Sequence, residues 1–322
     1  MEACRSIDSM KVQDVLGCAA SAIVLLLASA LIPLVGPVFS LLTPLPFLYY
    51  ATKLGLYQGG KVIFITVLAV SVIAKLAGYP QIIFLCLEFS LLGLIISEIF
   101  RREFTIGVTI FWGTVFMLII GAVILGLIGL DRGMGPLALI LDYFRSNVKE
   151  TVQSYQTMGW DQEKIHQVQE YLKILIKVVT KIYPALMVVG TGFVVWINIV
   201  ISRPLFRLLN LNYPHFGPMD RWRAPELMVW GVIAAGFSLF LSIPVVKLIA
   251  INSLIVMLTI YVFHGLSILL FFLNKYRVPS WVRIGIYFLI FFQQIFLIVL
   301  AMAGLFDQWI DFRKIHVKKA VS

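Results

Sequence analysis

The sequence predicts an all-α fold: a polytopic transmembrane helical bundle of eight or nine spans, with an amphipathic helical hairpin inserted mid-chain. Three observations carry that reading. Of 322 residues only 13% are charged and 61% are hydrophobic, at a mean hydropathy of +0.97. Apolar runs recur from Val15 to Leu305, to be set against the roughly 20 residues a helix needs to cross the hydrocarbon of a bilayer. Lysines and arginines gather beside the ends of those runs, so the net charge of +10 sets orientation and implies no acidic partner. Together these exclude a soluble globular fold and a nucleic-acid-binding domain.

The chain opens on a polar stretch, MEACRSIDSMKVQD, with no small-residue cleavage site after a short apolar region, so the first helix is expected to stay in the mature protein. Candidate spans follow at 15–31, 39–50, 62–76, 82–99, 106–130, 182–201, 227–243, 248–273 and 282–305. The second is short and carries Pro44 and Pro46, which reads as a broken or re-entrant helix. Alternate loops place Arg5, Lys11, Lys53, Lys61, Arg101, Arg102, Arg203, Arg207, Arg221, Arg223, Lys275, Arg277 and Arg283 on one side, expected to be cytoplasmic. The same count puts the basic tail at Arg313, Lys314, Lys318 and Lys319 outside, which is why the total is held at eight or nine.

Residues 136–181 form the one long polar interval, with apolar positions at helical spacing: Leu141, Phe144, Val148, Val152 and Tyr155, then Ile165, Val168, Leu172, Leu175 and Val179. Gly159 suits a helix end, and Asp161 with Glu163 suits the next helix start. The expected organisation is an N-terminal transmembrane bundle at 1–135, the hairpin at 136–181, and a C-terminal bundle with a basic tail at 182–322.

Polar groups inside apolar runs are the candidate functional residues, because a charged side chain at the centre of a spanning helix costs about 2.5–3.5 kcal/mol. Glu88 lies within an otherwise uncharged stretch, and Lys75 closes the preceding span across a tight turn, so the two are expected to pair either as a cation-responsive site or as a structural ion pair. Tyr261 and His264 share a helical stripe and are expected near Gln293 or Gln294, with Asn252 on the same span, as helix–helix glue or as ligand contacts. The ligand-lining candidates are therefore Glu88, Lys75, Asn252, Tyr261, His264 and Gln293. Asp307 and Asp311, one turn apart, call for a cation such as Arg313 or a basic loop. Three cysteines give no disulfide framework and four scattered histidines no metal spacing, so neither metal nor cofactor is expected. No catalytic constellation appears, and the chain reads as a non-enzyme.

Several fragments resemble a known family: Pro44-Leu45-Pro46, Pro184-Ala185, Trp222-Arg223-Ala224-Pro225, Ile251-Asn252, His264-Gly265, and Gly304-Leu305-Phe306-Asp307 running to Asp311-Phe312-Arg313. Together they resemble the YybS-like family of bacterial multi-pass membrane proteins, a domain of unknown function. More remotely, residues 15–130 are similar to the S components of energy-coupling-factor vitamin transporters, through a small-residue first helix, the loop Ile32-Pro33-Leu34-Val35-Gly36-Pro37 and the turn glycines Gly55, Gly59 and Gly60. The resemblance implies a protein of the bacterial cytoplasmic (inner) membrane. The leading expectation is a protein that binds or moves a small apolar or vitamin-like molecule. The alternative is a non-transporting scaffold for envelope or cell-division machinery. The partners are then the lipid bilayer with either a small-molecule ligand or a membrane protein, and no nucleic acid.

Overall fold

In hydrocarbon every backbone N–H and C=O must find its partner within the protein, and a helix does this inside one segment. The computed structural model describes residues 11–32, 36–79, 81–157 and 161–314, and no strand occurs among them. In chain order the helices are α1 (Val12–Leu31), α2 (Gly36–Leu42), α3 (Pro44–Leu76), α4 (Gln81–Arg101), α5 (Ile106–Arg132), α6 (Pro136–Thr157) and α7 (Gln162–Leu208). After a 3-10 turn at Met219–Arg221 come α8 (Met228–Ser238), α9 (Pro244–Lys275), α10 (Ser280–Phe292) and α11 (Gln294–Ile310).

By length and apolarity, 6 described helices can cross a membrane, or 7 if α10 and α11, bent by 102° at their junction, make one span. The expected eight or nine is not reached. Segments 39–50 and 62–76 are counted together as one helical run, Val38–Leu76, which is interrupted at Gly55. Segment 227–243 yields only the 11-residue α8, about 16 Å long, half the hydrocarbon thickness.

That helical run nevertheless turns back on itself. Gly55 has φ 86° and ψ 167°, a conformation open essentially to glycine. A Cβ on Gly59 would lie 2.7 Å from the Cα of Ala51, whereas residues eight apart in a continuous helix are separated by about 12 Å along the axis. So α3 consists of two arms, 44–54 and 56–76, reversing at Gly55. Pro44 sits in the first turn of its arm, where a missing N–H costs nothing.

The chain divides into two compact units, Met1–Ser146 with Gly190–Phe216, and Asn147–Val189 with Gly217–Ser322. In the first unit, Cys18, Ala22, Phe47, Leu48, Leu92, Ile96, Val195 and Ile199 form the buried apolar core. Lys53 pairs with Asp14 at 2.6 Å. Asn198 donates to the carbonyls of Leu41 at 2.8 Å and Val194 at 2.7 Å, so it takes up a carbonyl in the last turn of α2. Tyr213 donates to the Ile199 carbonyl at 2.9 Å amid Phe100, Phe206 and Phe216.

The second unit uses the same device. Proline lacks an N–H and its ring crowds the carbonyl four residues back, so Pro184 opens a turn of α7. Asn252 of α9 fills the opening: its Oδ1 accepts from Ala185 N at 2.9 Å and its Nδ2 donates to the Lys181 carbonyl at 2.9 Å. Those two backbone groups are the pair that would otherwise bond each other.

The polar interval is helical in both halves, as its periodicity predicts, and Glu163 stands in the first turn of α7. The expected hairpin end at 181 is not where the helix stops, because α7 runs on to Leu208, 47 residues in all from Gln162. Apolar residues follow the lysine without interruption, and the Asn252 bridge carries the helix past Pro184. Gly159 lies outside the described residues.

Candidate functional site: a buried charge network

On α9, Tyr261, His264 and Ser267 recur every three residues, and all three are buried. What covers them is α11, held unusually close by two glycines. A Cβ on Gly265 would run into the Leu300 carbonyl, and one on Gly304 into the Tyr261 carbonyl, both well inside van der Waals contact. At the end of α11, Asp311 takes a left-handed conformation, φ 43° and ψ 63°, which aspartate tolerates better than most residues. The reversal turns Arg313 back onto Asp307.

Asp307 is fully buried and collects the network. Its Oδ1 accepts from Phe312 N at 2.8 Å. Its Oδ2 accepts from Arg313 Nη2 at 2.9 Å and stands 3.1 Å from His264 Nε2 and 3.8 Å from Arg223 Nε. Arg223 Nη2 also pairs with Asp311 Oδ1. Arg313 Nη1 donates to Ser267 Oγ at 2.9 Å and to the carbonyls of Asp220 at 3.0 Å and Trp222 at 3.1 Å. Ser267 donates to the same Trp222 carbonyl at 2.8 Å, and Gln308 Nε2 to that of Ala224 at 3.2 Å.

His264 Nε2 lies 2.9 Å from Arg313 Nη2 and 3.1 Å from Asp307, and it can accept from the first or donate to the second, not both. Nδ1 is buried with no partner among the described residues. An unpaired N–H there would be the costlier orphan, so we assign the Nε2–H tautomer, donating to Asp307. Arg223 and Arg313 balance Asp307 and Asp311. Burial pulls the Arg313 guanidinium down from its ordinary value while the Asp307 carboxylate holds it up, and it remains charged.

The electrostatics explain the local fold. Residues 219–224 contain only one 3-10 turn, and the network's side chains take up their carbonyls at Asp220, Trp222 and Ala224. Non-helical backbone beside membrane-depth helices is tolerated only where protein groups satisfy it in this way. The arrangement is charge-balanced and closed, with the His264 ring edge-on to Trp222 at 6.2 Å and stacked against Tyr261 at 6.3 Å. Chemically it is a clamp.

A family model described as "Predicted membrane protein (DUF2232)" matches residues 20–308. The chain belongs to that family. The matched range takes in Trp222, Arg223, His264 and Asp307 and stops short of Asp311 and Arg313. No curated protein and no solved structure matches the chain.

Of the residues singled out in the sequence, Tyr261 and His264 are in the clamp, but their polar neighbours are not Gln293 or Gln294. Gln293 is exposed and forms the break between α10 and α11. It is the two glycines that bring the far end of α11, rather than its start, against His264. The Tyr261 hydroxyl lies beside Gln308 without reaching hydrogen-bond geometry. Asn252 serves the Pro184 break instead. The expected Lys75–Glu88 pair is absent: Lys75 is exposed, and the half-buried Glu88 turns to α5, where a Cβ on Gly121 would lie 3.3 Å from its Oε1. Lys75 stands six residues before Gln81, where α4 starts, and Glu88 seven after it, so only matching helix rotations could have joined them. Ser267 was not singled out, although it lies three residues beyond His264 on the same stripe.

Proposed function

We propose that this is a non-transporting interaction protein of the bacterial cytoplasmic membrane. In this reading it is a multi-pass scaffold for envelope or cell-division machinery that offers the first half of α7 to a membrane-protein partner and carries no reaction of its own. The observation behind this reading is length. At 47 residues α7 reaches about 70 Å, against about 30 Å of hydrocarbon, so a long section of it stands outside the bilayer. On that section Tyr171, Ile174, Leu175 and Val178 are exposed at helical spacing, flanked by exposed Lys173 and Lys177. Such a stripe on a soluble section of helix suits the groove or helix of another protein. The closed clamp around His264 is in keeping with an anchor whose polar residues hold shape.

The bacterial location follows the YybS-like resemblance. A photo-crosslinking residue at Ile174, introduced in cells, should give one discrete protein adduct that Leu175→Glu abolishes. A diffuse ladder, or an adduct indifferent to Leu175→Glu, would remove the basis of the reading.

A second reading, binding of a small apolar or vitamin-like molecule, rests on Glu88. It is a half-buried carboxylate within a span for which the described residues supply no ion pair or hydrogen bond, and it belongs to the 15–130 section that is similar to S components. A ligand screen scored by melting temperature separates the two, since a ligand that shifts wild type but not Glu88→Gln favours binding.

A further inference from the structure

We propose that a groove on the second arm of α3 seats one anionic phospholipid, with its phosphate on Lys61 and Tyr57 and an acyl chain lying over Gly60 against Leu56 and Phe64. The groove is a shallow, open notch on one face of a single helical arm, lined by those five residues. Its two sides differ chemically. Tyr57 and Lys61 stand one helical turn apart, the Lys61 ammonium 4.2 Å from the Tyr57 ring centroid, an amphipathic pair of the kind that anchors at headgroup level. Leu56 and Phe64 are large, apolar and exposed at 52% and 65%. Between them Gly60 forms a bare floor, where an added Cβ would meet nothing within 4 Å.

Charge selects the occupant. The reversal at Gly55 brings several basic residues to one end of the first unit, where Arg101 Nη2 donates to the Ala51 carbonyl at 3.1 Å. Lys53 is neutralised by Asp14 at 2.6 Å, and Arg102 is faced by Glu98 at 3.5 Å. Lys61 has no carboxylate partner among the described residues and is exposed, so it is the cation that a headgroup phosphate can reach. A second copy of the chain would fit less well, since a two-fold contact through this groove would set Lys61 against its own equivalent.

The test uses the full-length protein in neutral detergent, offered equal amounts of phosphatidylglycerol and phosphatidylcholine and read by native mass spectrometry. Wild type should retain phosphatidylglycerol preferentially, and Lys61→Gln should cut that retention roughly fivefold. Gly60→Leu fills the floor without meeting any neighbour and should also displace the lipid. Both variants should keep the lipid-free melting temperature of wild type, and Lys177→Gln on α7 should change nothing. Equal retention of the two lipids would overturn the proposal. So would loss in Lys61→Gln alone with Gly60→Leu unaffected, which would mean an anion on the lysine and no seated chain.

Discussion

Removing the Asp307 carboxylate should be among the most damaging single changes in the chain. Asp307→Ala leaves Arg313 buried and without its carboxylate, leaves Arg223 with Asp311 alone, and strips the Phe312 N–H and His264 Nε2–H of their acceptor. Breaking a buried ion pair from one side costs about 3–5 kcal/mol. At roughly 2–4 °C per kcal/mol, this lowers the melting temperature by roughly 10 °C in a detergent melt followed by size-exclusion chromatography. Asp307→Leu combined with Arg313→Met should be milder than Asp307→Ala alone, because the remaining Arg223 and Asp311 still balance and Ser267 still serves the Trp222 carbonyl. The double variant leaves the Asp220 carbonyl without Arg313, a loss of about 1 kcal/mol. If Asp307→Ala melts within a degree or two of wild type, or the double variant is worse than the single, the network is not a compensated clamp and the reasoning fails.

Asn252→Ala should cost about 1–3 kcal/mol, because it frees the Ala185 N–H and Lys181 carbonyl at the Pro184 break; a denaturant titration in mixed micelles would detect it, and no change would mean that α7 closes the turn unaided. Gly304→Val should abolish folding of the second unit while Gly285→Ala is tolerated, since a side chain at 304 meets the Tyr261 backbone and one at 285 meets nothing within 4 Å; comparable expression of the two would contradict the close α9–α11 crossing. Burial pushes the Tyr213 hydroxyl up to about 12. The folded state then resists ionisation that the unfolded chain accepts near 10, so stability is full below about pH 10 and falls as pH rises toward 12. Tyr213→Phe should flatten that alkaline limb, and an unchanged limb would assign it to other tyrosines.

Much of the fold is legible because apolar run length and period are local properties. The helices at 82–99, 106–130 and 248–273 needed nothing beyond the residues themselves. What sequence could not supply was the relation between helices. The reversal at Gly55 depends on one backbone conformation that a run of apolar residues does not advertise, so 39–50 and 62–76 were separable in the sequence but their joining was not. His264 and Tyr261 could be read as an inward stripe, and Asp307, Asp311 and Arg313 as a group needing charge balance. Joining the two required the facing pair Gly265 and Gly304, which set how α11 lies on α9 and so which polar end meets His264. Glu88 and Lys75 fail for the converse reason: proximity across a short turn says nothing about helix rotation.

The most direct test of the account is the mass of the protein released intact from its own membranes. Native mass spectrometry should show the chain together with one stoichiometric protein partner, and Leu175→Glu, on the exposed stripe of α7, should release the chain alone with its melting temperature unchanged. A wild-type chain that carries only a small-molecule adduct and no protein, with Leu175→Glu indistinguishable from it, would contradict the interaction role and favour the ligand-binding one.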